Sequence, residues 1–226
     1  MAAATPPESP SNPPVWASTA RASATRGGAR LVLASASPRR LALLRQVGIA
    51  PDAVAPAGLD EAPRPRELPA DYVRRVARDK AAAVAPQHGD AFVLAADTVV
   101  ALGRRILPKA EDEATARDCL RRLSGRRHRV LGAVVVVAPN GRRAERLVAT
   151  AVTFKRLTAA EIAAYLASGE WRGKAGGYAI QGRAAAFVPR LNGSYPNVVG
   201  LPLTETLALL TGLGYLPPGP ASGAHP

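Results

Sequence analysis

Leu31-Val32-Leu33-Ala34-Ser35-Ala36-Ser37-Pro38-Arg39-Arg40 is an apolar run that ends in two serines, a proline and two arginines, and Leu41, Leu43, Leu44 and Val47 then take up a helical spacing. The stretch predicts a strand over Leu31–Ala34, a short turn, and a helix over Pro38–Val47 that stops at Gly48. Ser37 is positioned to cap that helix and Pro38 to fill its first turn, where the missing N–H costs nothing. Free backbone N–H groups, the positive end of the helix dipole and two guanidinium groups converge on one spot. Such a turn is an anion site, and the arginines point to phosphate.

Working outward, strand and helix signals alternate. A proline-rich loop carries Asp60 and Glu61, Pro69–Ala85 reads as a helix, and Phe92–Val100 is an apolar run suited to a central strand. Glu111–Leu123 reads as a helix ended by Ser124-Gly125. Arg129–Ala138 and Ala144–Lys155 are β-rich, and Pro139-Asn140-Gly141 joins them as a hairpin. Thr158-Ala159-Ala160-Glu161 is a capping box opening a helix to Ala167, stopped by Gly169. Gly177–Arg190 suggests further short strands, and Thr204–Leu213 a closing helix. The mixture predicts an α/β fold with a mixed, twisted sheet and flanking helices, and no internal repeat is visible.

The chain has 226 residues, enough for one substantial domain or a two-lobed one. No apolar run approaches the ~20 residues needed to span a bilayer, so no membrane partner is expected. A single cysteine, Cys119, excludes an internal disulfide framework and fits a reducing compartment. It falls on a predicted helix with no catalytic partners nearby and reads as inert. Residues 1–29 are rich in Ala, Ser, Thr and Pro with no apolar face, and are expected to be a disordered extension, as is the tail 217–226. The first segment lacks the apolar core of a secretory signal, and Glu8 with five prolines weighs against an amphipathic targeting helix. A transit sequence and a misassigned start codon both stay open for it.

The net charge is +13, carried mostly by arginine: Lys80, Lys109, Lys155 and Lys174 are the lysines. Such a balance favours polyanionic partners, either nucleic acid or small phosphorylated substrates. A general compositional preference for arginine and alanine accounts for it equally well. Aromatic residues make up 4% of the chain, which weighs against a nucleic-acid module built on base stacking.

Several residues are candidates for chemistry. Asp97 lies in Phe92-Val93-Leu94-Ala95-Ala96-Asp97-Thr98-Val99-Val100, where a carboxylate is costly unless it meets a metal, a cation or several donors. Beside a phosphate site it is a natural metal ligand or general base; satisfaction by loop amides is the alternative. Glu61 is the second acidic candidate, since phosphoanhydride hydrolysis needs a cation and carboxylates to hold it. Taken singly, Glu61, Lys80 and Lys109 also read as ordinary surface residues. Gly169–Gly182 is dense in glycine but is not a Walker loop, because Ser168 and Ala175 stand where glycine and Ser/Thr are required. Its Gln181 can read a base edge through paired donor and acceptor, and a plain glycine turn is the other reading. His128 reads as a structural hydrogen-bonding histidine, and no metal-ligand histidine spacing exists.

Taken together, these residues resemble the Maf family of nucleoside triphosphate pyrophosphatases over about residues 31–213. Leu33–Arg40 matches its opening motif, Leu43-Leu44 and Gly48 follow, and Asp60-Glu61, Lys80-Ala81 and Ala96–Val100 match its acidic loop, second helix and central motif. Leu123–Val130 matches the segment beyond, while Gly169-Glu170-Trp171, Lys174–Gly182 and Gly193–Pro202 are similar to the branch acting on dTTP and UTP.

The resemblance implies a two-lobed fold with a central cleft, like that of the inosine triphosphatases. It implies a cytoplasmic enzyme releasing pyrophosphate from dTTP and UTP, also clearing modified pyrimidine nucleotides, with Mg²⁺ or Mn²⁺ as cofactor and a homodimer as its assembly. Asp97 would be the proton acceptor, and Glu61 with Asp97 would hold the cation. Arg39, Thr98 and Gln181 would matter for substrate choice, while Ser35 and Arg40, Lys80 and Lys109 would bind phosphate. Nucleic acid is not expected as a partner. Three departures from the family pattern stand out: Pro108-Lys109-Ala110 in place of Gly-Lys-Pro, Gly132 in place of a threonine, and Pro196 in place of a small polar residue. The first is expected to bear on Lys109 and turnover, the other two to be tolerated. The rival readings are another nucleotide preference within the family, or a basic, non-catalytic nucleic-acid-binding or division-regulating protein.

Overall fold

A computed structural model describes residues 29–216, so the expectations for residues 1–28 and 217–226 lie outside the described residues. The elements in chain order are β1 (Arg30–Leu33), α1 (Pro38–Gln46), β2 (Ala53–Val54), α2 (Pro69–Val84), β3 (Ala91–Leu102), β4 (Arg105–Leu107) and β5 (Lys109–Ala110), followed by α3 (Glu113–Leu123). Then come β6 (Arg127–Val137), β7 (Arg143–Thr153), α4 (Ala159–Ala167), β8 (Lys174–Ala175), β9 (Arg190–Asn192), α5 (Tyr195–Val199) and α6 (Leu203–Gly212). No helix among the described residues is long and apolar enough to cross a membrane.

The main sheet has seven strands in the order β2-β1-β3-β6-β7-β9, with β4 also paired to β3. β1 runs parallel to β2 and β3, and the remaining pairs of this sheet are antiparallel, so the sheet is mixed as expected. β3 is the organising strand. One edge pairs with β6 along nearly its whole length. The other edge pairs with β1 over Ala91–Leu94 and with β4 over Val100–Leu102. Ala95–Val99 therefore has no strand on that edge, and Asp97 and Thr98 lie in the gap, just beyond the carboxyl end of β1, where ligands collect in open α/β sheets.

Strand alternation sends side chains to two separate cores. Leu31, Leu33, Phe92, Leu94 and Ala96 pack with α1 and α6, while Val32, Ala34, Val93, Ala95 and Val99 pack with α2. A third core gathers Val100, Val130, Val152 and Phe154 with α3, α4, Trp171 and Tyr178, and forms the second lobe. The cleft lies between the lobes.

Two local expectations need correction. Ser37 occupies the N-cap of α1, but its side chain makes no capping bond; the Ser35 hydroxyl instead accepts from the Ser37 backbone N–H at 3.2 Å. Gly177–Arg190 does not form short strands: turns lead into a 3₁₀ helix over Arg183–Phe187, and only Arg190 enters β9. Ile180, Ala184 and Phe187 all join the second-lobe core at spacings of four and three, which is a helical rather than an alternating burial pattern. The hairpin turn and the capping box are as expected, with Gly141 at φ 78° and Thr158 and Glu161 bonded reciprocally. The short helix α5 had no anticipating signal beyond Ser194, whose side chain accepts from the Asn197 backbone.

Candidate active site

A cavity of about 620 Å³ opens at the gap beside β3, and Ser35, Arg39, Arg40, Glu61, Lys80, Asp97, Thr98, Lys109 and Gln181 all line it. Their positions follow from the elements that carry them. Asp97 and Thr98 are neighbours on one strand and so face opposite sides of the sheet. Asp97 lies on the α2 side with Ala95 and Val99, and Lys80 of α2 reaches it at 2.9 Å. Thr98 lies on the α1 side, where Arg40 donates to its Oγ1 at 3.3 Å.

Lys80 is the hub of the charged end. It occupies the buried stripe of α2, in register with Val73, Val76, Ala77 and Ala81, and is 6% exposed. Its Nζ bridges Asp97 Oδ1 at 2.9 Å and Glu61 Oε1 at 2.8 Å, and Lys109 Nζ meets Glu61 Oε2 at 3.0 Å. Burial pushes the Glu61 carboxyl up, but hydrogen bonds from Lys80 and Lys109 outweigh it and hold the group below its ordinary value. The reading of Lys80 as an ordinary surface residue does not hold. A lysine inside an apolar helical stripe was the available signal.

Arg40 is equally constrained. Its guanidinium donates to the Gly200 carbonyl at 2.9 Å, to Ser35 Oγ at 2.8 Å and to Thr98. Burial lowers its pKa, partly offset by the Asp97 charge. Arg40 thus ties α1, β3 and the loop after α5 together at the back of the cavity. Arg39 is more open: its Nε contacts the Val199 carbonyl at 3.3 Å. Burial, followed by the Arg39 charge, lowers the pKa of Lys174, which lines the same cavity. These two cations attract an anion between the lobes.

The far end of the cavity is lined by Tyr178, Ala179, Gln181, Val198 and Val199. Gly176 and Gly177, at φ 66° and 67°, fold the glycine-rich turn tightly onto the second lobe. A Cβ at Gly176 would stand 2.9 Å from Val100 Cγ1, and one at Gly177 3.1 Å from the Ala116 backbone. Tyr165 Oη accepts from the Ala179 backbone at 3.0 Å, and His128 Nε2 lies 2.8 Å from Tyr178 Oη. His128 is therefore the structural histidine expected, and burial pushes its pKa down to about 4, only partly offset by the Arg126 backbone. Cys119 is buried, and burial raises its thiol pKa to about 11, consistent with an inert residue. The sequence reading missed Tyr178 and Lys174 as lining residues, although both lie in the glycine-rich stretch it singled out.

The departures also find physical accounts. Lys109 opens β5, which pairs with β8, and the Pro108 and Ala110 carbonyls accept from Gly176 and Gly173, so the lysine reaches Glu61 without the usual flanking residues. Gly132 faces Asn197: a Cβ there would overlap Asn197 Oδ1 and stand 3.2 Å from its Cγ. Asn197 is fully buried and donates through Nδ2 to the Val130 carbonyl at 3.2 Å and Thr150 Oγ1 at 3.1 Å, anchoring α5 to the sheet. Nothing in the structure explains Pro196 beyond its place in the first turn of α5.

A divalent cation fits this donor set. Buried Asp97 and half-buried Glu61 offer carboxylate oxygens around one positive charge, and would hold a hard cation whose remaining ligands came from phosphate and water. Among the described residues there is no group of three or more His, Cys, Asp and Glu that would hold a metal without that help. The fit is therefore for a cation that shares the site with a phosphorylated ligand.

Residues 30–213 match the family described as Maf-like protein. The chain is 67% identical over 193 residues to the dTTP/UTP pyrophosphatase of Rhodospirillum rubrum, covering 85% of this chain and 92% of that one. It is 66% identical to the protein of the same name in Paramagnetospirillum magneticum, over 83% of this chain and 98% of that one. A solved dITP/XTP pyrophosphatase from Mycobacterium abscessus aligns at 20% identity with a TM-score of 0.38, covering 57% of this chain and 76% of that one. The family match spans nearly every described residue and the whole of the cavity, and the chain belongs to the Maf family.

Proposed function

We propose that this chain hydrolyses dTTP and UTP, and modified pyrimidine nucleotides, to the nucleoside monophosphate and pyrophosphate, and that it does so in the cytoplasm as a homodimer. One observation carries the reading: Asp97, held by Lys80 in the unpaired gap of β3, faces the same cavity as the Ser35–Arg40 turn. The names of relatives at 62–67% identity supply the pyrimidine preference.

The chemistry follows from the side chains. Lys80 engages Asp97 Oδ1, leaving Oδ2 without a protein partner among the described residues. Oδ2 accepts a proton from a water that attacks the α-phosphorus, and pyrophosphate departs. Arg39, Lys109, Lys174 and the open end of α1 offset the charge of the triphosphate, while Arg40 keeps that end of the cavity in shape. Glu61 and Asp97 would hold Mg²⁺ or Mn²⁺, which supplies further neutralisation of the phosphate oxygens. Because the protein groups are fixed before substrate arrives, little reorganisation is left to the reaction itself.

A panel of nucleoside triphosphates, scored for pyrophosphate against orthophosphate, tests the reading. dTTP and UTP are expected to release pyrophosphate fastest, with a requirement for Mg²⁺ or Mn²⁺. Release of orthophosphate alone, or no turnover of any nucleotide with either metal, overturns it. Sedimentation of the purified protein checks the dimer.

A further inference from the structure

A second cavity, of about 450 Å³, adjoins the first. Glu61, Thr98, Lys109 and Ala175 line both, so the Lys109–Glu61 ion pair stands on the boundary between them. The residues that line only this second cavity take no part in the proposed hydrolysis.

Its charge is one-sided. Arg64, Arg66 and Arg104 line it together with Lys109. Among the described residues, none of these three guanidinium groups has a salt-bridge partner, whereas Arg75, Arg78, Arg117 and Arg122 are each paired with a carboxylate. The acids present are already engaged. Glu67 is gripped by Arg75 at 2.6 and 2.8 Å and by the Arg64 backbone N–H at 2.9 Å, and Glu61 is shared by two lysines. Val99, Ile106 and Leu107 supply apolar lining to the same cavity. The cations come from two separate turns. Arg66 is the only non-glycine among the described residues with positive φ, at 60°, and Arg104 follows Gly103 in the β3–β4 hairpin.

The ligand that fits is a multiply charged anion, because three exposed guanidinium groups and an ammonium line one cavity of about 450 Å³. Given the proposed hydrolysis, on which this inference rests, the active cavity makes one such anion at every turnover. We propose that the second cavity is a pyrophosphate site: Lys109 passes the leaving anion across the shared wall, and Arg64, Arg66 and Arg104 hold it before it reaches solvent.

The test is calorimetric titration of pyrophosphate into the full chain with Mg²⁺, in the presence of saturating α,β-imido-dTTP to fill the first cavity. Pyrophosphate is expected to bind the analogue-loaded protein. The exposed double variant Arg64→Ala/Arg104→Ala should weaken that binding at least tenfold, while Arg64→Lys/Arg104→Lys should retain most of it. The same alanine variant should relieve inhibition of dTTP turnover by added pyrophosphate and leave the KM for dTTP unchanged. Full competition between pyrophosphate and the analogue, or identical binding by wild type and the alanine variant, overturns the site. The binding measurement needs no turnover. If no nucleotide is hydrolysed yet pyrophosphate binds through Arg64 and Arg104, the proposed function falls and the anion site stands; hydrolysis with arginine-independent binding does the reverse.

Discussion

At the β3 end of the cleft, ions position one another: Lys80 lies between two carboxylates, Lys109 adds a second contact to Glu61, and Arg40 is fastened to three oxygens. At the Tyr178 end, charge plays almost no part. Glycines packed against Val100 and Ala116, a tyrosine–histidine bond and a buried asparagine set the walls. The two ends are therefore expected to fail differently. Losses at the ionic end should appear in the chemical step, because those groups act on charge that develops during reaction. Losses at the packed end should appear in stability and in substrate affinity.

The largest effect is expected from Asp97→Asn. The substitution keeps the shape of the side chain and a hydrogen-bonding oxygen for Lys80 but removes the proton acceptor, and kcat for dTTP should fall by about a thousandfold or more. Thermal melting should show the variant folded. Turnover near the wild-type rate would remove Asp97 from the mechanism and make the ionic end a binding device only.

Legibility in the sequence divides along the same line. The strand-turn-helix from Leu31 to Val47 and the acidic interruption at Asp97 stand out because each is a local conflict: arginines after an apolar run, and a carboxylate within one. The β6–β7 hairpin and the capping box are written in adjacent residues and are equally readable. What could not be read is pairing across distance. Nothing local tells that Lys80 meets Asp97, that β3 changes its edge partner between Leu94 and Val100, or that Asn197 fills the space above Gly132. The 177–190 stretch misleads for a related reason. Its aromatic and aliphatic content suits a strand, and tertiary burial against α3 and α4 selects a turn and a 3₁₀ helix instead.

The packed end carries a pH dependence that the ionic end does not share in the same range. His128 is held near pKa 4 by burial, against 6.5 in an unfolded chain. Between those values the unfolded state takes up a proton that the folded state refuses, so stability falls as pH is lowered through the window and is flat above it. The loss amounts to at most about 3 kcal/mol. Glu61, held below its ordinary carboxylate value, adds its own loss only at lower pH. Urea unfolding at pH 7 and pH 5 should show the decline in wild type and a much shallower one in His128→Gln. An equal slope in both would place the titration elsewhere.

Gly132→Thr introduces the residue that the family resemblance leads one to expect and should nonetheless harm this protein. The new side chain must displace Asn197, which is fully buried and anchors α5, and overpacking of this kind costs about 2–3 kcal/mol. Since the Val199 and Gly200 carbonyls that follow accept from Arg39 and Arg40, the disturbance should cross from the packed end into the ionic one. A lower melting temperature with a reduced kcat would show the two ends mechanically joined through α5. A lower melting temperature with kcat unchanged would show them independent.

Tyr178→Phe should give the smallest and most selective change. Removing the hydroxyl leaves His128 Nε2 buried without its 2.8 Å partner, a loss of about 1–2 kcal/mol in unfolding free energy. The ring itself stays packed against Phe154 and goes on lining the cavity. No charged group moves, so kcat should hold while KM for dTTP rises a few fold as the turn carrying Gln181 loosens. If kcat falls instead with KM intact, the packed end also positions the reacting phosphate, and the division of labour between the two ends does not hold.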